Sequence, residues 1–510
     1  MEKKFIVTVE LGSSKVTAVA GRREPDGVIS ILASVQEPSA DFIRKGRINN
    51  VSKMRAAVQK IRETLEQSIE RKKRVSLKGA FVGITGMGMY TTKGIVRRTF
   101  AEKVEISQND VDELREENQR SAATPDRDVL ESVALEYRLG AQRQSDPVGI
   151  MTDSIEGEYL NVMAGTTMCS DVAACFEEGG LPVLKQPIAF EALADAMLAD
   201  AEKRSGCVFV DMGAETTSVA VYKNNLLRHL AVIPLGGANV THDISSLLQV
   251  DENEAEALKL RYGRAISAES DIETAAIVLQ DGRSVSHSEL AELIEARMEE
   301  ILRNVKHQIE LSGYGKGTLI AGVIFTGGAA QMRDCEKAIC EFTGFDKVRH
   351  ATHTRLSVRG GGVDFNKDGS QNVAIALIDK CDDGEVNCCA GEDDRSDIFG
   401  GSGGNREQAE AEAAAAREKA EAEEAERVRK ARLEEIEAEV RREIKIDKKR
   451  LGQLRELVAE AKSLGGETAE LEAEVARLET ILKNSGPLGN LRKIAGAGWK
   501  KVCNIVNESE

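Results

Sequence analysis

Hydrophobic and polar positions alternate with two different periods along roughly the first 380 residues. Short runs rich in Val, Ile and Phe have the pattern of buried strands, whereas longer stretches repeat their apolar residues every three or four positions, as helices do. The strand-like runs are KFIVTVEL, KVTAVAG, CVFVDMG, TSVAVY and GVIFTGG, and the helical stretches are 52–71, 188–204, 241–249 and 288–311. This interleaving predicts a layered fold of the α/β class.

The pattern changes after residue 380. Residues 381–406 are acidic, rich in Gly and almost without apolar residues, which predicts a flexible linker. Residues 407–484 are rich in Glu, Ala, Arg and Lys, and we expect a helical arm that turns at LGGET, residues 464–468. Two interpretations of the arm stay open. A solvated spacer is favoured because the apolar seam is short, and the alternative is a coiled-coil contact with another chain.

The C-terminal segment, residues 487–507, combines an apolar face with a basic one. On a helix, one side carries apolar residues that include Leu491, Ile494, Trp499, Val502 and Ile505, and the other side carries Lys500 and Lys501. Such a helix is typical of proteins that bind an anionic membrane surface from one side. The alternative is an ordinary amphipathic helix that packs on the core.

Composition narrows the class of protein. Asp and Glu number 85 against 69 Lys and Arg, a net charge of −16, which disfavours nucleic-acid binding because that requires a basic face. We recognise no signal peptide and no apolar stretch of spanning length, so we expect a cytoplasmic protein. The nine cysteines are scattered, as is typical of reduced thiols. Cys381, Cys388 and Cys389 lack the paired spacing of a zinc site.

A first motif, VTVELGSSKVTAVAG, occupies residues 7–21 and reads as two strands around a tight turn. Backbone amides of such a turn bind phosphate oxygens, and Gly12, Ser13, Ser14 and Lys15 are the candidate phosphate-binding residues. Glu10 ends the first strand, where its carboxylate faces a hydrated Mg²⁺ in this hypothesis.

A second motif, VFVDMGAETTSVAVY, repeats this arrangement at residues 208–222. Asp211 parallels Glu10, and Gly213, Thr216 and Thr217 parallel the first turn. A strand–turn–strand is commonly an ordinary hairpin, so each motif alone is a weak signal.

A third motif, GVIFTGGAAQM at residues 322–332, runs from a strand through Gly327 and Gly328 into a helix. The glycine pair lets the backbone approach a nucleoside closely. Together, the three motifs predict a duplicated fold whose halves bind one nucleotide between them.

The motifs and their order resemble those of the actin, Hsp70 and sugar-kinase superfamily, and more closely those of the bacterial FtsA family. LGSSKVTAVAG resembles that family's first phosphate loop, DMGAETTSVAVY its second, and TGGAAQM its adenosine loop. The segments 147–150, 233–245 and 253–265 are also similar to FtsA, and the resemblance covers residues 5–380.

This resemblance implies an actin-like duplicated ATPase fold with an inserted subdomain, followed by the helical arm and the amphipathic helix. The implied partition is subdomain 1A (1–83, 166–206 and 361–380), inserted subdomain 1C (84–165), subdomain 2A (207–234 and 313–360), subdomain 2B (235–312), linker (381–406), arm (407–484) and membrane helix (487–507). ATP and Mg²⁺ are the implied ligands, with Glu256 and Lys259 beside the adenosine.

The resemblance also implies a function in cell division. FtsA-like proteins assemble into filaments, bind the C-terminal peptide of the tubulin-like FtsZ on the lobe 235–312, and interact with other division proteins. Their C-terminal helix holds them at the cytoplasmic face of the inner membrane, at the division site. We therefore expect these partners and this location here.

Two departures bear on activity. Glu10 stands where relatives often carry Asp, and GAETT, residues 213–217, replaces a run of glycines. Nucleotide binding is still expected, with weak ATPase activity at most. Glu191 lies where the superfamily places an acidic residue that orients the attacking water, and the alternative is a carboxylate stabilised by the start of a helix.

Two other functions within the superfamily stay open. One is an ATP-dependent small-molecule kinase, although no acceptor pocket is recognisable in the sequence. The other is a chaperone-like ATPase or a pilus-assembly relative, although the residues beyond 380 do not continue into the β-sandwich of Hsp70. The division protein is the leading hypothesis.

Overall fold

The computed structural model describes residues 4–69, 75–267, 276–360, 369–382, 384 and 386–389. These residues belong to one unit that spans residues 1–394. The predicted helical arm (407–484) and membrane helix (487–507) lie outside the described residues. None of the helices within the described ranges is both long and apolar enough to cross a bilayer.

An antiparallel meander of three strands opens the described chain: β1 (Ile6–Leu11), β2 (Lys15–Arg23) and β3 (Ile29–Pro38). The strands are rich in Val, Ile and Ala, and Ile6 and Val19 are fully buried. Branched side chains favour extended backbone and fill a pleated, buried surface well. The meander is therefore the centre of the first core.

The rest of the first half follows in chain order. Its elements are β4 (Ile43–Arg44), β5 (Arg47–Ile48), α1 (Val51–Ile69), β6 (Ala80–Gly83), β7 (Tyr90–Glu105), α2 (Gln108–Ala122), β8 (Arg127–Leu139), β9 (Gln142–Gln144), β10 (Met151–Gly165), α3 (Thr166–Glu178), β11 (Val183–Lys185), α4 (Ala189–Met197) and α5 (Asp200–Ser205). Strands β6 and β11 extend the meander in parallel, which gives the order β11-β6-β1-β2-β3.

The second half repeats this plan. Its elements are β12 (Cys207–Met212), β13 (Thr217–Lys223), β14 (Leu226–Ile233), α6 (Gly237–Leu248), α7 (Glu252–Tyr262), β15 (Ile277–Val278), β16 (Ser284–Val285), α8 (His287–Leu311), β17 (Gly322–Thr326), a 3₁₀ turn (Ala329–Gln331), α9 (Cys335–Thr343) and β18 (Val348–His350). The chain then returns to the first half with β19 (Val358–Gly360), which pairs in parallel with β3, and α10 (Asn372–Cys381), which packs on the first sheet. The order β18-β17-β12-β13-β14 matches the five strands β11-β6-β1-β2-β3 of the first sheet one for one, and β19 is the sixth strand of that sheet, beside β3. This correspondence confirms the predicted duplicated, actin-like α/β fold.

Strands β7, β8, β9 and β10 form an antiparallel layer. This layer is joined to the edge of the second sheet by the pairing of Ala231 of β14 with Tyr90 of β7. Helix α2 covers one face of this layer, where Val111 and Leu114 pack with Tyr159 in a small core of their own. The layer is an insertion between β6 and α3, at the position predicted for the inserted subdomain.

Helices α4 and α10 pack on each other between the two sheets, with α10 against the first sheet and α4 against the second. Leu377 and Ile378 of α10 lie against Gly83 and Gly21 of the first sheet. The ring of Phe190 in α4 stacks on Phe209 of the second sheet, 5.3 Å between centroids. The pair of helices α4 and α10 therefore joins the two halves of the duplicated fold.

The helix predicted over 188–204 is divided into α4 and α5. Leu198 and Ala199 adopt extended backbone between them. The Ala199 N–H donates to the Glu202 carboxylate over 2.8 Å, which starts the second helix as a capping interaction. The apolar periodicity of the sequence is continuous over 188–204, but the helix is interrupted at the Glu202 cap.

The predicted linker (381–406) begins with packed residues. Cys388 is fully buried in the first core. Its N–H donates to the Phe5 carbonyl over 2.9 Å, and its own carbonyl accepts from the Lys78 N–H over 2.8 Å. Residues 386–389 are thus part of the globular fold, and residues 390–406 lie outside the described residues.

Candidate nucleotide site

The first acidic turn, residues 10–15, follows directly from the pairing of β1 with β2. Glu10 lies opposite Thr17 in that pair, and Gly12 begins the turn. A Cβ at Gly12 would lie 2.5 Å from the Lys15 carbonyl oxygen, so the turn closes this tightly only with glycine. The Ser39 hydroxyl donates to the Gly12 carbonyl over 2.6 Å and holds the turn against the end of β3.

The second acidic turn, residues 211–217, has the same register. Asp211 lies opposite Ser218 in the β12–β13 pair. The Gly213 N–H donates to the Thr216 carbonyl over 2.8 Å and closes the turn. Thr217 is fully buried, and its hydroxyl donates to the Leu235 carbonyl over 2.9 Å. Thr217 thus holds the turn in place. Its side chain is fully buried in this conformation and has no surface available for the predicted contact with phosphate.

The two acidic residues lie within electrostatic reach of each other. Burial, with the negative charge of Asp211 as the second cause, raises the pKa of Glu10 to about 8, and Lys15 opposes this rise. Burial also raises the pKa of Asp211 to about 6. A buried carboxylate whose charge is destabilised by burial and by a second carboxylate is a favourable place for a cation.

The third motif packs against the second turn. Gly327 has a φ of +104°, and a Cβ there would lie 2.4 Å from the Met212 carbonyl oxygen and 2.5 Å from Asp211 Oδ1. Only glycine accommodates both this conformation and this approach. A Cβ at Gly328 would meet open space. In the predicted glycine pair, Gly327 is therefore required by the backbone packing, whereas Gly328 leaves room for a ligand.

The start of α6 joins these pieces. The Gly237 N–H donates to the Gly213 carbonyl over 3.0 Å, and the Ala238 N–H donates to the Ala214 carbonyl over 2.7 Å. A helix N-terminus has N–H groups without partners in the helix, and here the second acidic turn accepts from them. The turn and α6 consequently form one continuous unit.

Glu256 and Lys259 of α7, predicted beside the adenosine, belong to a hydrogen-bonded cluster with α6. Lys259 Nζ lies 2.6 Å from Glu256 Oε2, and it donates to Thr241 Oγ1 over 2.8 Å and to the Gly237 carbonyl over 3.1 Å. The Thr241 hydroxyl donates to Glu256 over 2.5 Å. Through Gly237, this cluster is connected to the second acidic turn. The structure thus brings the predicted adenosine and phosphate residues of the second half together.

Two family models match the chain. The model described as cell division protein FtsA matches residues 208–487, more than half of the chain. The model described as the SHS2 domain inserted in FtsA matches residues 87–163, which fall within the inserted layer. The chain belongs to the FtsA family of cell division proteins.

Curated FtsA proteins agree with this assignment. The cell division protein FtsA of Neisseria meningitidis serogroup B is 30% identical over 342 residues, which are 65% of this chain and 80% of that protein. FtsA of Escherichia coli K12 is 28% identical over 393 residues, which are 74% of this chain and 90% of that protein. The predicted family is therefore confirmed.

Solved structures show weaker likeness. A chain of the PilM–PilN type IV pilus biogenesis complex has a TM-score of 0.48 and 14% identity, over 73% of this chain and 97% of that chain. MreB 5 of Spiroplasma citri bound to AMPPNP has a TM-score of 0.42 and 13% identity, over 74% of this chain and 96% of that chain. Likeness at this level carries no inference, so the fold assignment rests on the strand order and the family match.

Glu191, the candidate for orienting water, has charged neighbours of a different kind. Lys380 Nζ lies 3.6 Å from Glu191 Oε2 and 3.2 Å from Asp195 Oδ2. Burial, with Glu131 as the second cause, raises the pKa of Glu191 to about 8. In the described part of the chain, the charged neighbours that shift its pKa come from α4, α10 and the inserted layer, and none of them belongs to an acidic turn. A catalytic role for Glu191 stays a prediction.

Several residues of the site were not recognised in the sequence of this FtsA-family chain. Glu215 was noted only as a departure from the family's glycine run, yet its carboxylate accepts the Lys45 N–H over 2.6 Å. The Gly46 N–H donates to Ser13 Oγ over 3.0 Å. Ser39 and Thr241 were also missed. All four act through partners that are remote in sequence, and no local pattern indicates such contacts.

Proposed function

We propose that this chain binds ATP with Mg²⁺ between the two acidic turns. The observation that carries the proposal is the pair of matched turns, in which Glu10 and Asp211 occupy equivalent register positions and the charge of Asp211 acts on Glu10. The positive charge of Lys15 also acts on Glu10 and lowers its pKa. The glycine-containing turns can present backbone N–H groups to phosphate oxygens, and a Cβ at Gly328 would meet open space, which leaves room for a ligand there.

The donor set fits Mg²⁺ rather than a metal that requires a cage of protein ligands. The described residues contain no group of three or more His, Cys, Asp or Glu side chains arranged to hold a metal. Mg²⁺ usually keeps several waters and binds one or two carboxylates together with the phosphates of the nucleotide. Glu10 and Asp211 would supply those carboxylates. The ion, when bound, neutralises charge on the phosphates.

Nucleotide acts in this proposal mainly as an assembly ligand. Hydrolysis requires a group that positions water at the terminal phosphate. Glu191, the candidate from the sequence, lies next to Lys380, which also pairs with Asp195. We therefore expect turnover to be slow and the conformational effect of binding to matter more.

The wider role that we propose is to connect FtsZ filaments to the cell membrane at the division site, on its cytoplasmic face. Membership of the FtsA family supports this role. Self-assembly, binding of the FtsZ C-terminal peptide on the lobe 235–312, and contacts with other division proteins belong to the same proposal. The amphipathic pattern of residues 487–507 supports peripheral attachment to anionic lipid.

The nucleotide part is tested with the purified full chain and a fluorescent ATP analogue. We expect saturable binding that weakens when Mg²⁺ is removed with EDTA, and competition by unlabelled ATP. A signal that no excess of ATP displaces, or no binding at all, would overturn the proposed site.

The membrane part is tested by co-sedimentation with vesicles that contain phosphatidylglycerol. Deletion of residues 487–510 should leave the protein in the supernatant while ATP binding persists. In the full chain, Lys500→Glu with Lys501→Glu should weaken sedimentation, because the charge facing the lipid is reversed. The matched control changes the exposed Lys103 and Lys185 to Glu, an identical change in net charge. If the deleted protein still sediments, the C-terminal helix is not the anchor.

The division part is tested by adding the FtsZ C-terminal peptide to the same vesicles. We expect labelled peptide to sediment only when the full chain is present, and to remain in solution with the protein lacking 487–510. Peptide that stays in the supernatant with the full chain would contradict the proposed link to FtsZ.

A further inference from the structure

Glu215 belongs to the second acidic turn, but its carboxylate contacts the first half. Oε2 accepts the backbone N–H of Lys45 over 2.6 Å, and Oε1 accepts from Arg44 Nη1 over 3.2 Å. The Glu215 side chain is 17% exposed, whereas that of Arg44 is 64% exposed. The bond to Lys45 is therefore the better shielded of the two, and the ion pair with Arg44 lies at the surface.

The residues that donate to Glu215, Arg44 and Lys45, lie with Gly46 at the tip of the β4–β5 hairpin. This hairpin is fixed to the first half. The Gly46 N–H donates to Ser13 Oγ in the first acidic turn. A Cβ at Gly46 would lie 2.4 Å from the Thr85 carbonyl oxygen, so the tip presses on the loop after β6. The hairpin therefore moves with the first half.

The backbone at the tip supports a specific role for this contact. Lys45 has a φ of +51°, a left-handed conformation that non-glycine residues seldom adopt. Such conformations persist where surrounding contacts determine them, and they are frequent at functional positions. Here the conformation accompanies donation of the Lys45 N–H to the Glu215 carboxylate.

We propose that Glu215 is a positioning residue that holds the two acidic turns at a fixed separation and thereby controls nucleotide exchange. The contact of Glu215 with Arg44 and the Lys45 N–H is called the Glu215 latch below. The inference rests on the proposed ATP site and concerns its regulation. One end of the latch is in the second turn, two residues after Gly213, and the other is in the hairpin bonded to Ser13.

The latch should act on rates more than on affinity. Separation of the two turns must precede both entry and exit of a ligand held between them, so the latch lies on both paths. Breaking it should accelerate binding and release together and change Kd less than either rate. A residue that touches the nucleotide directly would instead alter Kd mainly through the release rate.

The test is stopped-flow release of a fluorescent ATP analogue from the full chain, chased with excess ATP in Mg²⁺ buffer, with association measured in parallel. Glu215→Ala should accelerate release about tenfold, since a hydrogen bond to a charged group is lost. Glu215→Gln keeps an oxygen for the Lys45 N–H and should restore most of the wild-type rate. Arg44→Ala changes a side chain that is 64% exposed and should accelerate release about twofold.

Glu66→Ala is the matched control. Glu66 Oε1 also accepts a backbone N–H, that of Leu77, over 3.0 Å, but both residues belong to the first half. This variant should release the analogue at the wild-type rate. Equal acceleration in Glu66→Ala and Glu215→Ala would overturn the latch, because general loosening would then explain both.

The outcomes separate the latch from the site itself. If the wild-type chain does not bind the analogue, the proposed ATP site fails and the latch fails with it. If the wild type binds and Glu215→Ala exchanges at the wild-type rate, the site stands and the latch is wrong. A raised Kd with unchanged association would also contradict the latch, because it would indicate a direct nucleotide contact. If Glu215→Ala does not fold, the Gln and Arg44→Ala variants decide by the same rates.

Discussion

The two acidic turns share one backbone plan and are held in place by different means. The first turn is fixed by a side chain, since the Ser39 hydroxyl donates to the Gly12 carbonyl over 2.6 Å. The second turn is fixed by the backbone of a helix, since the N–H groups of Gly237 and Ala238 donate to the carbonyls of residues 213 and 214. The register of the flanking strands is the same in both.

This difference shows that the two halves share a strand topology but not the hydrogen bonds that hold their turns in place. A shift of the second turn moves the start of α6, and through the Thr241–Lys259 bond it reaches α7. A shift of the first turn moves the end of β3 and the β4–β5 hairpin. A ligand that contacts both turns would therefore couple the helical lobe of the second half to the hairpin of the first. The following predictions test how far the two turns differ.

The largest difference should appear when each turn receives a methyl group. Gly12→Ala places Cβ 2.5 Å from the Lys15 carbonyl oxygen, whereas Gly213→Ala places it 3.1 Å from the Thr216 carbonyl oxygen. We expect Gly12→Ala to lower the free energy of unfolding by about 3 kcal/mol and Gly213→Ala by about 1 kcal/mol, as urea denaturation would measure. Equal losses would mean that both turns relax to the same extent.

The acidic residues should separate metal-dependent from metal-independent binding. Glu10→Gln and Asp211→Asn each remove one carboxylate that would face Mg²⁺, and each should weaken Mg²⁺-dependent ATP binding about tenfold, about 1.4 kcal/mol. Titration of the fluorescent analogue with and without EDTA measures this loss. Affinity in EDTA should change little, and a loss of the same size in EDTA would argue against a metal role for that carboxylate.

Glu191 provides a contrast outside the turns. Its pKa is raised from 4.5 to about 8, with Glu131, Asp195, Lys380 and Tyr222 around it. Since the folded state holds the proton more tightly, the wild type loses stability as pH rises from 4.5 to 8. Glu191→Gln does not titrate and leaves Lys380 paired with Asp195, so its stability relative to wild type should increase with pH.

The slope of this difference is at most about 1.4 kcal/mol per pH unit, and urea denaturation at pH 5, 6.5 and 8 measures it. ATP binding should be unaffected by Glu191→Gln, as expected of a residue whose charged contacts lie outside the turns. A constant stability difference across this range would show that Glu191 is not protonated as inferred. A large change in ATP binding would restore the predicted catalytic role.

The smallest effects should come from the hydroxyl anchors. Ser39→Ala removes the bond to the Gly12 carbonyl, and Thr217→Val removes the bond to the Leu235 carbonyl while preserving shape. We expect a loss of about 1 kcal/mol for Ser39→Ala. The loss for Thr217→Val should be smaller, because the Gly237 and Ala238 N–H groups still hold the second turn. The reverse order, measured by urea denaturation, would contradict the comparison.

Much of the fold was readable from local sequence. The runs quoted for β1, β2, β12, β13 and β17 are strands in the structure, and the helix predicted over 288–311 is α8, His287–Leu311. Strong periodicity and β-branched composition act over neighbouring residues, so the signal survives without knowledge of the partners. The break between α4 and α5 was missed because one capping carboxylate, Glu202, overrides a continuous apolar pattern.

The candidate site was readable only in part. The glycines and acidic residues of the turns were recognisable because turn geometry restricts residue types locally. Glu215 is not recognisable as a site residue from the sequence, because its partners at 44 and 45 are about 170 positions away and give no local signal. Thr217 is predicted from its sequence position to contact phosphate. Its burial and its hydrogen bond to the Leu235 carbonyl depend on tertiary packing, which the sequence motif does not reveal.

The sequence by itself determined the strands, the two acidic turns and the family, because periodicity and turn chemistry are properties of consecutive residues. Tertiary structure alone decided which half each anchor comes from, that Glu191 lies 3.6 Å from Lys380 of α10, and that Glu215 reaches the opposite half. These features depend on distances between residues that are remote in the chain. Such distances are set by the packing of two sheets around α4 and α10, which no local pattern encodes.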